Sequence, residues 1–212
     1  MKMRVLVADD HAVVRKGVLQ ILAEDPSITF VDEATSGREV LRVLQEKEYD
    51  VLLLDIAMPG GSGLGVLEEL RRRSSHPHVL ILSMYSEKQY ARQALKSGAD
   101  GYLTKDSLPE ELLAAIHKVA GGRKYVSQAL AEELAVELAG DGTGEPLHTR
   151  LSGREYEVMC LMAAGKEVGE IAAELALSVS TISTYRGRIL EKLGVKNTAE
   201  VIRYAIRHGL VE

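Results

Sequence analysis

The chain has 212 residues, 46% apolar and 27% charged, with a formal net charge of −5, which is enough for one large core or two small ones. No run approaches the ~18 uncharged apolar residues needed to span a bilayer, and the opening MKMRVLVADD is too short and too acidic for a secretory leader. A cytoplasmic protein with no membrane partner is therefore expected. The single cysteine, Cys160 in EYEVMCLMAAG, excludes a disulfide framework and reads as a buried, inert thiol.

Net charge conceals an asymmetry. Residues 1–147 carry 17 basic against 23 acidic side chains, whereas residues 148–212 carry 9 against 8. Between Ser178 and Lys196 the only charges are Arg186, Arg188, Glu191, Lys192 and Lys196, a local excess of three positive charges. An acidic front half and a locally basic back half point to separate tasks.

Along the first 120 residues, short β-branched runs alternate with amphipathic stretches, the pattern of βαβ units in a parallel sheet. The strands are MRVLVA, ITFVDEA, VLLLD, VLILS and GYLT. The helices run from Ala12 to Glu24, Gly37 to Glu46, Gly63 to Arg73, Glu87 to Ser97 and Pro109 to Ala120, the last with Ser107 available as a cap. The expected fold is a doubly wound, five-stranded parallel sheet of flavodoxin type. From Tyr125, YVSQALAEELAVELAG reads as a further helix, and GDGTGEPLHT, with three glycines and a proline, reads as a linker.

Beyond the linker every pattern is helical: Ser152 to Ala164, Val168 to Leu175, Val179 to Leu193 and Thr198 to His208. Ser152-Gly153-Arg154-Glu155 fits a capping box, Ser178 and Asn197 can cap, and Gly165 and Gly194 fall where helices would stop. A small all-α, four-helix domain is expected. The boundaries are 1–122, 123–148 for a linker helix and flexible linker, and 149–212.

In YDVLLLDIAMPGGSG, Asp55 stands where a hydrophobic strand ends at a Pro/Gly turn. Ligands of open parallel sheets lie beyond the carboxyl ends of the strands, where strand order reverses. If the first strand lies beside the third, Asp9, Asp10 and Asp55 meet there. Three carboxylates repel one another unless a cation joins them, and hard oxygen donors with room for water suit Mg²⁺. Ser83 and Lys105 end the fourth and fifth strands, adding a hydroxyl and a fixed positive charge. Such a set suits a phosphoryl group taken up by the Asp55 carboxylate as an acyl phosphate. The blander alternative is that the acids cap a helix and a turn while Lys105 is a solvated surface residue.

VADDH, LLLDIAMPG, LSMYS and SGADGYLTKD resemble the receiver domain of bacterial two-component response regulators, in order over roughly residues 1–122. The resemblance implies that Asp55 is the phosphoacceptor. It makes Asp10 a direct Mg²⁺ ligand, Asp9 one acting largely through water, and Ala57 a donor of its backbone carbonyl beside Asp55. It also makes Ser83 and Tyr102 the switch pair and Lys105 the family's lysine at the phosphoryl site. Ala57 and Tyr85 lack a carboxylate or amide to orient attacking water, so slow self-hydrolysis is expected.

In EIAAELALSVSTISTYRGRILEKLGV, Ile171, Ala172, Leu175, Ile182, Ile189 and Leu190 recur on one face, as a helix-turn-helix requires. The other face exposes Ser180, Thr181, Ser183, Thr184, Gly187 and Arg188. Small hydroxyls and a glycine permit close approach to base edges, and Arg186, Arg188, Lys192 and Lys196 suit phosphates. A basic helix is otherwise often just a solvated face. The segment LSGRE…EIA…LSVSTIS…KLGVKN is similar to the LuxR-type helix-turn-helix, and the two halves together resemble the NarL/FixJ class of response regulators.

That resemblance implies a transcription factor, not a turnover enzyme. It implies phosphorylation by a sensor histidine kinase, homodimerisation when phosphorylated or DNA-bound, and double-stranded promoter DNA as partner, with RNA polymerase a further candidate. Two other readings remain open at this point. A phosphohydrolase would need a general acid two residues after Asp55, where Ala57 stands. A constitutive DNA binder would be indifferent to Asp55→Ala.

Overall fold

A computed structural model of the chain describes residues 2–58, 63–72, 76–139 and 146–211. Residue contacts divide it into two compact units, Met1–Ala131 and Glu132–Glu212.

The first unit holds five parallel strands, β1 (Met3–Ala8), β2 (Ile28–Ala34), β3 (Val51–Asp55), β4 (His78–Ser83) and β5 (Gly101–Thr104), in the order β2-β1-β3-β4-β5. Helices α1 (Ala12–Ala23), α2 (Gly37–Glu46), α3 (Gly63–Leu70), α4 (Glu87–Lys96) and α5 (Leu108–Ala120) connect and follow them. Every residue of β3 is buried, as a central parallel strand covered on both faces must be. β2, at the sheet edge, is mostly exposed or half-buried and carries Asp32 and Glu33, charges that discourage edge-to-edge pairing. β1 does lie beside β3, with Val5 opposite Val51 and Ala8 opposite Leu54. The strand order therefore reverses beside β1, and the carboxyl ends of β1, β3, β4 and β5 share one edge.

Three expected features differ. Helix α3 ends at Leu70, and the end expected at Arg73 lies outside the described residues. Ser107 makes no capping bond; Lys105–Ser107 form a 3₁₀ turn in which the Ser107 and Thr104 hydroxyls pair at 2.9 Å. Tyr125 does not begin a helix. It pairs with Gly101 on the outer edge of β5, accepting from Tyr102 N–H at 3.1 Å and donating to the Asp100 carbonyl at 2.8 Å. A Cβ at residue 101 would stand 2.8 Å from the Tyr125 carbonyl oxygen, so glycine there makes room for the added segment. Helix α6 then runs from Gln128 to Ala139. Ser127 Oγ caps it by accepting from Leu130 N–H at 3.1 Å, and Glu87, first residue of α4, accepts the Ser127 N–H at 3.0 Å.

The second unit contains α7 (Gly153–Ala163), α8 (Val168–Glu174), α9 (Val179–Leu193) and α10 (Thr198–Arg207). Part of the expected linker, residues 140–145, lies outside the described residues, and Leu147–Arg150 form a 3₁₀ turn. The Ser152–Glu155 capping box is present, and Ser178 and Asn197 cap α9 and α10. Gly165 and Gly194 adopt φ of +86° and +66° just past their helices, the left-handed stops that glycine permits. α7 is buried nearly throughout, Cys160 included, because α8, α9 and α10 all pack on it. Between α8 and α9, Ala176 takes φ +52°, a conformation that costs an alanine roughly 1–2 kcal/mol.

Candidate functional site

At the shared strand edge, Asp9, Asp55, Ser83 and Lys105 are all buried. Lys105 follows β5, and its Nζ lies 2.6 Å from Asp55 Oδ2 and 2.7 Å from Asp9 Oδ2. Burial pushes the Asp55 carboxyl above its ordinary pKa, and Lys105 only partly offsets this. The ammonium responds oppositely: burial would depress it, but Asp55 and Asp9 hold it above its ordinary value. Asp55 Oδ1 also accepts the Ala57 N–H at 3.2 Å. A Cβ on Gly63 would stand 2.3 Å from the Asp55 carbonyl oxygen, so the start of α3 can lie against the end of β3 only as glycine.

Asp10 is the exposed member of the acidic set. His11, which no periodicity singles out, joins it: Nδ1 lies 3.0 Å from Asp10 Oδ1, 3.3 Å from Asp9 Oδ1 and 3.8 Å from Asp55 Oδ2. Its adjacency in VADDH is the one sequence signal for it. One donor atom from each of Asp9, Asp10, His11 and Asp55 falls within 4.8 Å of the others. Asp9 Oδ2 is buried, with the Lys105 ammonium 2.7 Å away as its charged neighbour. Clustered acids and a carboxyl destabilised by burial fit a divalent cation.

Ser83 closes β4, and its Oγ accepts from Tyr85 N–H at 3.1 Å. Tyr102 on β5 is 1% exposed, and its hydroxyl donates to the Tyr85 carbonyl at 2.8 Å. Burial pushes the Tyr102 phenol well above its ordinary value. The ring is thus already turned inward, clasping the loop that follows Ser83, while Tyr85 stacks on Tyr90 at 4.5 Å.

On α9, Ile182 and Ile189 are buried, as are Ile171, Ala172 and Leu175 on α8 and just after it; Leu190 is half-buried, at the rim of the core. Ser180, Ser183, Thr184, Gly187 and Arg188 are exposed and Thr181 is half-buried. Several groups already have partners. Ser178 Oγ lies 2.7 Å from both Ser180 Oγ and Thr181 Oγ1, and Thr184 donates to the Ser180 carbonyl at 3.0 Å. Arg186 Nε donates to Thr198 Oγ1 at 3.1 Å. Lys192 Nζ lies 2.5 Å from Glu155 Oε2, a buried carboxylate on α7. Burial raises the Glu155 pKa, but Lys192 and the Ser152 N–H more than reverse this, leaving it lowered. Arg188 and Lys196 remain exposed.

A buried acidic cluster with a fixed lysine cation on a doubly wound sheet, in one chain with a helix-turn-helix, defines the class of signal-responsive regulators. The family model "Response regulator receiver domain" matches residues 5–117, and "Bacterial regulatory proteins, luxR family" matches residues 149–205. Response regulator UvrY of Escherichia coli (strain K12) is 33% identical over 206 residues, covering 97% of this chain and 94% of UvrY. Among solved structures, RcsB from Salmonella enterica serovar Typhimurium bound to promoter rprA with the phosphomimetic BeF3- superposes with a TM-score of 0.68 at 27% identity, covering 96% of this chain and 98% of that one. A structure of two RcsB dimers bound to two parallel DNAs gives 0.61 at 27% identity, covering 97% and 98%. The chain belongs to the response regulators of the NarL/FixJ class, a receiver domain joined to a LuxR-type helix-turn-helix.

The described residues include no helix long and apolar enough to cross a membrane.

Proposed function

We propose that this chain is a cytoplasmic transcription regulator that accepts a phosphoryl group on Asp55 from a phosphohistidine of a sensor histidine kinase. Its receiver spans 1–122, its connecting segment 123–148 and its DNA-binding domain 149–212. The Asp55 carboxylate oxygen attacks phosphorus as the P–N bond to the kinase imidazole breaks, leaving an acyl phosphate. Asp9, Asp10, Asp55 and the Ala57 carbonyl would hold Mg²⁺, which would supply charge neutralisation for the transferring oxygens. Lys105 neutralises the same charge from the other side, and Ser83 donates a hydrogen bond once its hydroxyl leaves Tyr85 N–H. That movement loosens the loop whose carbonyl Tyr102 holds, so charge at Asp55 biases the β4–β5 surface. Ala57 and Tyr85 beside the phosphoryl group offer no carboxylate or amide to orient water, and the acyl phosphate is long-lived.

α9 is the proposed recognition helix. Ser180, Thr181, Ser183, Thr184 and Gly187 would face base edges, and Arg186, Arg188 and Lys196 phosphates, with Lys192 engaged by Glu155 within the fold. A homodimer on paired half-sites of promoter DNA is the binding form, with RNA polymerase a further partner. The observation that carries this reading is the Lys105 ammonium clamped between Asp9 and Asp55, where the ends of three strands meet. The test is DNA binding with and without a small phosphodonor and Mg²⁺. Phosphodonor-dependent affinity is expected in the wild type and absent in Asp55→Asn; equal affinity in all samples would sink the switch.

A further inference from the structure

The turn that carries Asp9 and Asp10 is held peptide by peptide. The Asp9 N–H donates to the Ala34 carbonyl at 3.1 Å, continuing the β1–β2 ladder and holding the peptide before Asp9. The His11 N–H donates to Asp9 Oδ1 at 2.8 Å, the bond an aspartate makes with the residue two positions on, and this holds the peptide after Asp10. The plane between them is held from outside the turn: Arg15 Nη1, on α1, donates to the Asp9 carbonyl at 2.8 Å.

That bond has a specific consequence. A peptide is planar, so the Asp9 carbonyl and the Asp10 N–H turn together, and a donor that fixes the first fixes the direction in which the Asp10 side chain leaves the backbone. Helix α1 begins at Ala12, too late to supply the Asp9 carbonyl with a donor of its own. Among the described residues Arg15 is the donor that reaches it.

Arg15 is itself held. Its Nε donates to Glu33 Oε2 near the end of β2 at 2.6 Å, and its side chain is 16% exposed. Pinning so long a side chain removes its rotamer freedom, so Nη1 is already aimed. The planar guanidinium makes both bonds from one rigid fork, which the single nitrogen of an ammonium does not reproduce. A surface ion pair alone would leave the second donor to water; here it is turned onto the main chain of the acidic turn.

We propose that Arg15 is a positioning residue for phosphoryl transfer: it orients the Asp9–Asp10 peptide so that the Asp10 carboxylate meets the divalent ion, and Glu33 holds it in that pose. Neither side chain touches the ion or the phosphoryl group. The proposal rests on the metal-assisted transfer to Asp55 described above and extends that site to α1 and the edge strand β2.

The test combines calorimetry of Mg²⁺ binding to the full chain, the Mg²⁺ dependence of labelling by a small phosphodonor, and melting without divalent ions. Arg15→Met keeps the apolar stem and removes the donors. Its Mg²⁺ affinity should fall roughly tenfold, the lower end of what changes behind a ligand cost, and half-maximal labelling should need more Mg²⁺ by the same factor, with the rate at saturation within about twofold of wild type. Arg15→Lys keeps the charge without the fork and should resemble Arg15→Met. Glu33→Ala, at an exposed carboxylate whose loss leaves the core intact, should shift Mg²⁺ affinity the same way by less, and should add nothing in the Arg15→Met background. Lower melting with unchanged Mg²⁺ affinity in Arg15→Met and Glu33→Ala would reduce the contact to a structural ion pair and overturn the proposal. Full Mg²⁺ affinity in Arg15→Lys would also overturn it, assigning the effect to charge and not to orientation. A wild type that neither takes up Mg²⁺ nor is labelled sinks the phosphoryl reading itself, and the proposal with it.

Discussion

Gly63 and Gly187 both sit in helices of the functional regions, and their surroundings are opposite. At residue 63 a methyl group would collide with the Asp55 carbonyl, whereas at residue 187 nothing lies within 4 Å of where it would go. The floor of the receiver pocket is buried, with Asp9, Asp55, Ser83 and Lys105 each at the strand end that carries it. The recognition face is open, with Ser183, Gly187 and Arg188 turned to water. A site for covalent chemistry must hold its charges dry, where a fixed cation acts strongly. A site for recognition keeps its groups outward and takes its final geometry from what docks.

The receiver pocket is most directly broken by Gly63→Ala. A methyl group forced to 2.3 Å from a backbone oxygen leaves no flexible side chain to yield, so the cost should reach the upper end of overpacking, about 3 kcal/mol. Chemical denaturation should show a large fall in midpoint, and labelling by a phosphodonor should slow. An unchanged midpoint would mean that the end of β3 moves freely and that the pocket is not fixed by its backbone.

Asp55→Asn sharpens the same point through pH. The folded carboxyl has its pKa raised above the ordinary 3.8, first by burial. Stability from this group is therefore complete below the ordinary pKa and is lost as pH rises through the folded one. At neutral pH without divalent ions the ionised carboxylate burdens the fold, and the amide variant should melt higher than wild type, the gap closing as pH falls below about 4. A divalent ion at a hundred times its dissociation constant should restore about 2.7 kcal/mol to wild type, and less to Asp55→Asn. A variant that melts lower at pH 7 would show that the Lys105 ion pair outweighs desolvation.

The two regions also differ in how much of them can be read from residues alone. β1, β3, β4 and β5 are legible because their apolar runs end at or beside Asp, Ser or Lys, and parallel strands must deliver those ends to one edge. The adjacency of β1 and β3, which brings Asp9 to Asp55, depends on chain crossing and has no local signature. Tyr125 belongs in pattern to the helix that follows and pairs with β5 instead because Gly101 leaves space there. His11 carries no periodicity at all. In the second unit the expected caps Ser152, Ser178 and Asn197 are found because capping is local, whereas the Glu167–Glu170 box of α8 goes unread, and the partners of Arg186 and Lys192 lie 12 and 37 residues away. Spacing along α9 presents both as free cations. The left-handed Ala176 is equally invisible, since alanine announces no turn.

Lys192→Ala decides which region that lysine serves. Glu155 is buried and its pKa is lowered despite burial, so it stabilises the fold above the ordinary 4.5, and that stability is lost as pH falls through its lower folded value. Deleting the ammonium leaves a buried carboxylate that accepts from the Ser152 N–H of the capping box. Because the Lys192 side chain is 38% exposed, the expected cost is about 1–2 kcal/mol, below that of a fully buried pair. The salt dependence of DNA binding should barely change. If instead its slope drops by about one while stability holds, the lysine is a phosphate contact and the recognition face extends further along α9 than the ion pair implies.

Gly187→Ala is the smallest effect and the most discriminating one, because its two consequences have opposite signs. Within α9 a glycine costs about 0.5–1 kcal/mol relative to alanine through backbone entropy. With open space around the new methyl, nothing in the fold opposes that gain, so thermal melting should rise slightly. The intramolecular structure therefore gives no reason for glycine at this position, whereas Gly63 has one in the Asp55 carbonyl. If the reason is the surface of DNA pressed close against the helix, the more stable variant should bind promoter DNA more weakly, and Gly187→Val more weakly still. Unchanged or improved affinity in both would remove residue 187 from the interface and shift base contact toward the Ser180–Thr184 end of the helix.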